Sequence, residues 1–140
     1  LSLFLQNEPG RLTEPCRLLA DHGINIRTMT LADTQQFGIL RMVVSDPARA
    51  AELLQQADYL VKVTEVLAIE VPDKPGGLAD VLEIFDNSGI NIEYMYALTA
   101  GQEGKAVIVF RFDHPDAAIE RLTRAGMNVL DCADVYRADQ

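Results

Sequence analysis

Positive charge is scarce in this chain. It carries 12 Lys and Arg against 21 Asp and Glu, a formal net charge of −9. Phosphate recognition needs clustered Lys and Arg, so the balance argues against a nucleic-acid partner. Attraction to an anionic membrane is disfavoured for the same reason. The acidic excess serves to keep a small protein soluble. Cysteine is nearly absent as well, with only Cys16 and Cys132. Without a C-x-x-C pair or a Cys/His cluster, no zinc or iron–sulfur site is signalled. Cys16 falls on the apolar face of an expected helix, where a free thiol packs as a small hydrophobe. The counts fit a reducing, cytoplasmic setting. No apolar run is long enough to span a bilayer, and no basic segment at the start suggests a signal peptide. Leu1 aligns with Leu67, inside an apolar run, so the first strand is expected to begin upstream of Leu1.

Catalytic signatures are missing too. There is no nucleophile–base pair, no Gly-rich phosphate loop and no metal-ligand spacing. Gly101-Gln102-Glu103-Gly104 reads as a hairpin, because no Lys-Ser or Lys-Thr follows it. His22 reads as a helix C-terminal residue and His114 as an N-cap. No catalytic residue, metal or cofactor is therefore expected, and an enzyme is the disfavoured class.

What the chain does have is a repeat. Asn7-Glu8-Pro9-Gly10-Arg11-Leu12, Gly23-Ile24-Asn25-Ile26 and Met29 recur as Asp73-Lys74-Pro75-Gly76-Gly77-Leu78, Gly89-Ile90-Asn91-Ile92 and Met95. The offset is constant at 66 (75−9, 91−25, 95−29). A constant long offset means a duplicated unit, here two small domains over residues 1–66 and 67–140. Most repeated residues belong to a Pro-Gly loop and a Gly-X-Asn turn, and loops carry function.

Each copy reads as strand, helix, strand, strand, helix, strand. Residues 1–5 and 67–71 alternate as strands do. Leu78, Val81, Leu82 and Phe85 share one helix face, as do Leu12, Cys16 and Leu19. Gly23 and Gly89 stop these helices. Ile-Asn-Ile opens a second strand in each copy, and turns at Gln35-Gln36 and 101–104 lead to third strands at 38–44 and 106–112. Asp46-Pro47 and His114-Pro115 mark helix starts. Fourth strands are expected near 60–65 and 127–136, the first running almost straight into the strand at Leu67. The order βαββαβ with amphipathic helices predicts an α+β fold, a ferredoxin-like sandwich in two tandem copies. Pro15 conflicts with an early helix start. Either the helix begins late, with Thr13 as N-cap, or its first turn is distorted.

The paired loop and turn resemble the signature of ACT domains, small regulatory modules that bind amino acids. Two copies in matching frames cover essentially the whole chain. The resemblance implies a non-catalytic sensor that holds a free amino acid between paired ACT units and controls an enzyme of amino-acid metabolism in another chain. It also implies units side by side, either in one sheet or in a homodimer. The expected ligand-binding residues are Asn7, Pro9, Gly10, Leu12, Asn25 and Ile26 in the first copy. In the second they are Asp73, Pro75, Gly76, Gly77, Leu78, Asn91 and Ile92. The ligand carboxylate would meet helix N-terminal N–H groups near Gly10 or Gly76. Asn7 or Asp73 would accept from its ammonium. Asn25 or Asn91 would close the site of the facing unit. Loop two is expected to be the better site, because Gly77 leaves room where Arg11 occupies loop one, and Pro15 disturbs the helix behind loop one. Tyr94 and Tyr96 share a strand face and are expected chiefly to pack. The rival reading is a protein–protein or oligomerisation module that keeps the fold without a ligand. In that case the Pro-Gly and Asn residues only shape turns.

Overall fold

The computed structural model describes residues 1–6, 8–33, 37–98 and 104–130. The chain divides into two compact units between Thr64 and Glu65. The first contains β1 (Ser2–Gln6), α1 (Thr13–Asp21), β2 (Ile26–Asp33), β3 (Phe37–Val44), α2 (Pro47–Gln56) and β4 (Leu60–Lys62). The second contains β5 (Leu67–Pro72), α3 (Gly77–Glu83), β6 (Ile92–Ala97), β7 (Lys105–Phe112), α4 (Pro115–Arg124) and β8 (Val129–Leu130). Each forms a four-stranded antiparallel sheet, ordered β2-β3-β1-β4 and β6-β7-β5-β8. This is the βαββαβ plan that the sequence predicts, built twice.

Strand alternation makes the core. Leu3 and Leu5 on β1, and Leu40, Met42 and Val44 on β3, turn to one face and are buried. Leu19 from α1 and Ala50 and Leu54 from α2 cover that face. The second unit repeats this with Ile69, Val71, Phe110, Phe112, Val81, Phe85, Ala118 and Leu122. Each large side chain so buried contributes about 1.5–3 kcal/mol. Phe85 and Phe112 take the places of Leu19 and Val44, and their rings meet at 4.8 Å. Beyond the β6–β7 connection the repeat spacing becomes 68 (110−42, 118−50), because that connection is two residues longer. The expected turn at Gln35-Gln36 lies outside the described residues, as do residues 131–136 of the expected last strand.

Two local expectations need correction. α1 does begin late, but Thr13 is its first residue, and the capping position is Leu12, which makes no side-chain cap. Pro15 is then the third helical residue and is buried there. Its missing N–H falls among the first four, which have no intrahelical partner anyway. The first turn needs no distortion. Nor does β4 run into β5. It ends at Lys62, and residues 63–66 are not strand. Lys62 pairs with Ser2, the first residue of β1, so the ladder has no partner beyond it.

Candidate functional site

Loop one joins β1 to α1. It tightens on its own backbone: Arg11 N–H donates to the Glu8 carbonyl at 3.4 Å and Thr13 N–H to the Gly10 carbonyl at 3.2 Å. Gly10 sits at φ +83°, the left-handed region that favours glycine. Those bonds use N–H groups that a ligand carboxylate was expected to meet. A different cation source stands beside them. Arg11 folds back along the sheet and donates from its guanidinium to the Gln6 carbonyl at 2.8 Å. Its guanidinium lies over Gly38 of β3, where a Cβ would come within 3.3 Å of it. Arg11 thus borders the loop rather than filling it.

An open cleft of about 600 Å³ lies beside loop one. Its polar walls are Glu8, Arg11, Glu14, Asp58 and Tyr59; Phe4 and Leu60 supply apolar surface, and Pro9 and Gly10 the rim. The two sides come from distant parts of the chain. Antiparallel pairing sets Leu60 opposite Phe4, which brings the α2–β4 turn to the loop end of β1. Asp58 takes φ +67° in that turn. Tyr59 and the Glu14 carboxylate of the first turn of α1 face the same cleft. Burial, then the nearby Glu14 carboxylate, pushes the phenol up to about 12. The cleft therefore offers one guanidinium and several carboxylates over a short apolar floor.

Of the expected site residues, Pro9 and Gly10 border this cleft. Leu12 lies on another surface of the loop, with Thr13. Asn7 lies outside the described residues. Sequence reasoning missed Glu14, Asp58 and Tyr59, and took Arg11 as an obstacle.

Loop two has a different interior. Its turn bonds run from Lys74 N–H to the Pro72 carbonyl and from Gly77 N–H to the Lys74 carbonyl, each at 3.0 Å. Asp73, Pro75 and Gly76 are exposed, and Leu78 is half-buried. Gly77 does not leave room for a ligand. A Cβ there would lie 2.1 Å from the Pro72 carbonyl oxygen, so the space belongs to the backbone. The reason for preferring loop two is thereby removed.

Asn25 and Asn91 hold matching places. Asn25 N–H donates to the Ser45 hydroxyl at 3.0 Å, and Ser45 N–H returns to the Asn25 carbonyl at 2.9 Å. Asn91 N–H donates to the Asp113 carboxylate at 2.9 Å, and Asp113 N–H returns at 3.1 Å. The His114 ring pairs with the same carboxylate at 3.0 Å. His114 occupies the cap position of α4 without capping it through its side chain. The His114 hydrogen bond, then that of Asn91, holds the Asp113 carboxyl below its ordinary range. Both asparagine side chains are exposed, and Ile26 and Ile92 beside them are half-buried. Within a unit they do not meet the loop. Asn25 lies past Val44, whereas loop one leaves β1 level with Phe37. The two ends of β3 are roughly 20 Å apart.

His22 ends α1, where its Nδ1 donates to the Leu18 carbonyl at 2.9 Å. Tyr94 and Tyr96 stack at 6.3 Å on the sheet face away from the helices, beside Arg111 and Val109. Among the described residues no cluster of His, Cys, Asp and Glu has metal-site geometry, and no helix is long and apolar enough to cross a membrane.

A family model described as the ACT domain pair matches residues 1–137. The chain belongs to the ACT domain pair family. A solved protein from Bacteroides thetaiotaomicron is 38% identical to this ACT pair; the match covers 96% of this chain and 92% of that one, with a TM-score of 0.89. The ligand-free regulatory subunit of aspartate kinase from Thermus thermophilus is 17% identical over 89% of each chain, with a TM-score of 0.63. The corresponding subunit from Thermus flavus is 16% identical over 99% of this chain and 92% of its own, with a TM-score of 0.56. At such identities the kinase subunits share the ACT fold with this chain. No curated protein matches it.

Proposed function

We propose that this ACT pair is a non-catalytic regulatory module that binds a free amino acid in the cleft beside Gly10. Through that site it controls an enzyme of amino-acid metabolism carried on another chain. The cleft carries the reading. A free amino acid presents a carboxylate and an ammonium a few ångströms apart, and the cleft is lined by Arg11 together with Glu8, Glu14 and Asp58. Charge-assisted hydrogen bonds to both ends would orient the ligand. A role as a separate regulatory chain agrees with the two aspartate kinase regulatory subunits that share its fold. An asparagine that closes the cleft has to come from another ACT unit, because Asn25 sits at the far end of its own sheet. We place that contact in a homodimer of the chain.

One observation favours the rival reading, a ligand-free interaction module. Met29 and Met95, at matching positions on the edge strands β2 and β6, are 46% and 38% exposed. A melting panel of the standard amino acids separates the two readings. At 100 times its dissociation constant a ligand stabilises the fold by about 2.7 kcal/mol. For a chain of this size the expected rise in melting temperature is on the order of 5–10 °C. Asn25→Ala and Asn91→Ala should diminish the rise. An unchanged melting temperature with every amino acid at millimolar concentration overturns the sensor reading and leaves the interaction module.

A further inference from the structure

We propose that the turn carrying Asn91 is a pH-responsive latch worked by the Asp113 carboxylate and the His114 imidazole, and that the matching turn at Asn25 is not. The inference goes beyond the amino-acid reading and stands without it.

Both turns close in the same way, by a pair of bonds to the residue that follows the third strand of the unit. In the first unit the side-chain acceptor is the Ser45 hydroxyl, in the second the Asp113 carboxylate. The backbone returns one bond in each, from Ser45 N–H at 2.9 Å and from Asp113 N–H at 3.1 Å. Just beyond each asparagine the strand ladder is irregular, between Ile26 and Thr28 and between Ile92 and Tyr94. The side-chain bond therefore fixes the asparagine at a corner where regular pairing is interrupted.

What differs is the chemistry of the acceptor. Ser45 and Asp46 stand where the second unit has Asp113 and His114 (113−45 = 114−46 = 68). A serine hydroxyl keeps its proton across the physiological range, and the Asp46 carboxylate is taken by the Arg49 N–H as the cap of α2. In the second unit two donors converge on one oxygen. The Asn91 N–H lies 2.9 Å and the His114 Nδ1 3.0 Å from Oδ1 of Asp113. His114 makes no side-chain cap on α4, and its ring serves this carboxylate instead.

Protonation decides how that oxygen is shared. A contact of this length needs a proton on Nδ1, which the imidazolium always carries and the neutral ring carries in one tautomer only. In acid, a charged donor and the Asn91 N–H divide the oxygen, and the Asn91 bond weakens. At higher pH the neutral ring releases the oxygen to Asn91. Among the described residues no charge other than His114 acts on the Asp113 carboxylate. Arg111, two positions earlier on β7, is held by the Glu65 carbonyl at 2.8 Å and lies 4.0 Å from Glu93 of β6. Asp116 is the other charged group in the first turn of α4. The His114 hydrogen bond, then that of Asn91, holds the Asp113 carboxyl down, in keeping with two donors on one carboxylate. That part of the stability is present above the ordinary carboxylate value and is lost as pH falls through the folded one, a separate and more acidic step.

The test follows the backbone amides of Asn91 and Asn25 by NMR in the full chain from about pH 8 to about pH 5, the interval in which histidines change charge. The Asn91 amide proton is expected to move upfield as the His114 ring protonates. Its hydrogen exchange, corrected for the intrinsic pH dependence, should lose protection several-fold. The Asn25 amide should do neither. Both changes at Asn91 should vanish in His114→Gln; the ring is exposed, so that variant is expected to fold. Asp113→Ser, which installs the hydroxyl of the first unit, should make the Asn91 amide as indifferent to pH as that of Asn25. A shift at Asn91 without loss of protection reports the nearby charge alone and overturns the latch. So does a response that persists in His114→Gln, or one that Asn25 shares. Amino-acid binding enters none of these readouts, so their failure leaves the reading of the cleft untouched.

Discussion

The Pro72 carbonyl oxygen fills the place that a side chain at Gly77 would need, 2.1 Å from its Cβ position. Gly10 differs: nothing lies within 4 Å of its Cβ position, and only its positive φ favours glycine. Both repeated loops thus carry a torsion glycine, Gly10 and its counterpart Gly76 at φ +85°, and loop two adds a close-approach glycine at Gly77, where loop one has Arg11. Gly10→Ala is expected to cost about 1–2 kcal/mol, the left-handed penalty. Gly77→Ala should cost clearly more, because backbone must move. Urea unfolding of the two variants measures both.

The asparagine turns give a second contrast. The exposed Asn25 side chain carries no described hydrogen bond, whereas its backbone N–H depends on the Ser45 hydroxyl. Asn25→Ala should leave stability within about 0.5 kcal/mol, as for most surface changes. Ser45→Ala should cost about 0.5–1.5 kcal/mol, the net worth of a hydrogen bond. Ligand response should follow the opposite order, lost in Asn25→Ala and retained in Ser45→Ala. The measurement is the same unfolding curve with and without amino acid.

Much of this was legible in the sequence. The 66-residue offset, the Pro-Gly loops and the Gly-Ile-Asn turns marked two units and their turns, because glycine, proline and asparagine report local torsions. Burial of Leu3, Leu5, Met42 and Val44 followed from alternation. The cleft was not legible. Tyr59 and Glu14 are 45 positions apart (59−14) and meet only because Leu60 pairs with Phe4. Arg11 looked like an obstruction because its fold back to the Gln6 carbonyl is a tertiary choice. The Pro72 oxygen behind Gly77 is backbone, which a residue pattern does not show.

Tyr59 gives a pH dependence of known sign. Its phenol is pushed from the ordinary range up to about 12, so the fold favours the neutral form. The stability this contributes is fully present below the usual tyrosine pKa of about 10 and is lost as pH rises through the folded value. A spectrophotometric titration should show a late phenol that is absent in Tyr59→Phe. Stability of the wild-type chain should fall more steeply than that of Tyr59→Phe over the same alkaline interval.

The measurement that bears most directly on the central claim is the binding stoichiometry of whichever amino acid raises the melting temperature, determined by titration calorimetry on the full chain. The Arg11 guanidinium and the Tyr59 phenol have no counterparts in the second unit, where Gly77 and Met127 stand, so one molecule should bind per chain, and Arg11→Ala should abolish it. Two equivalent molecules per chain, or binding that survives Arg11→Ala unchanged, would contradict the site.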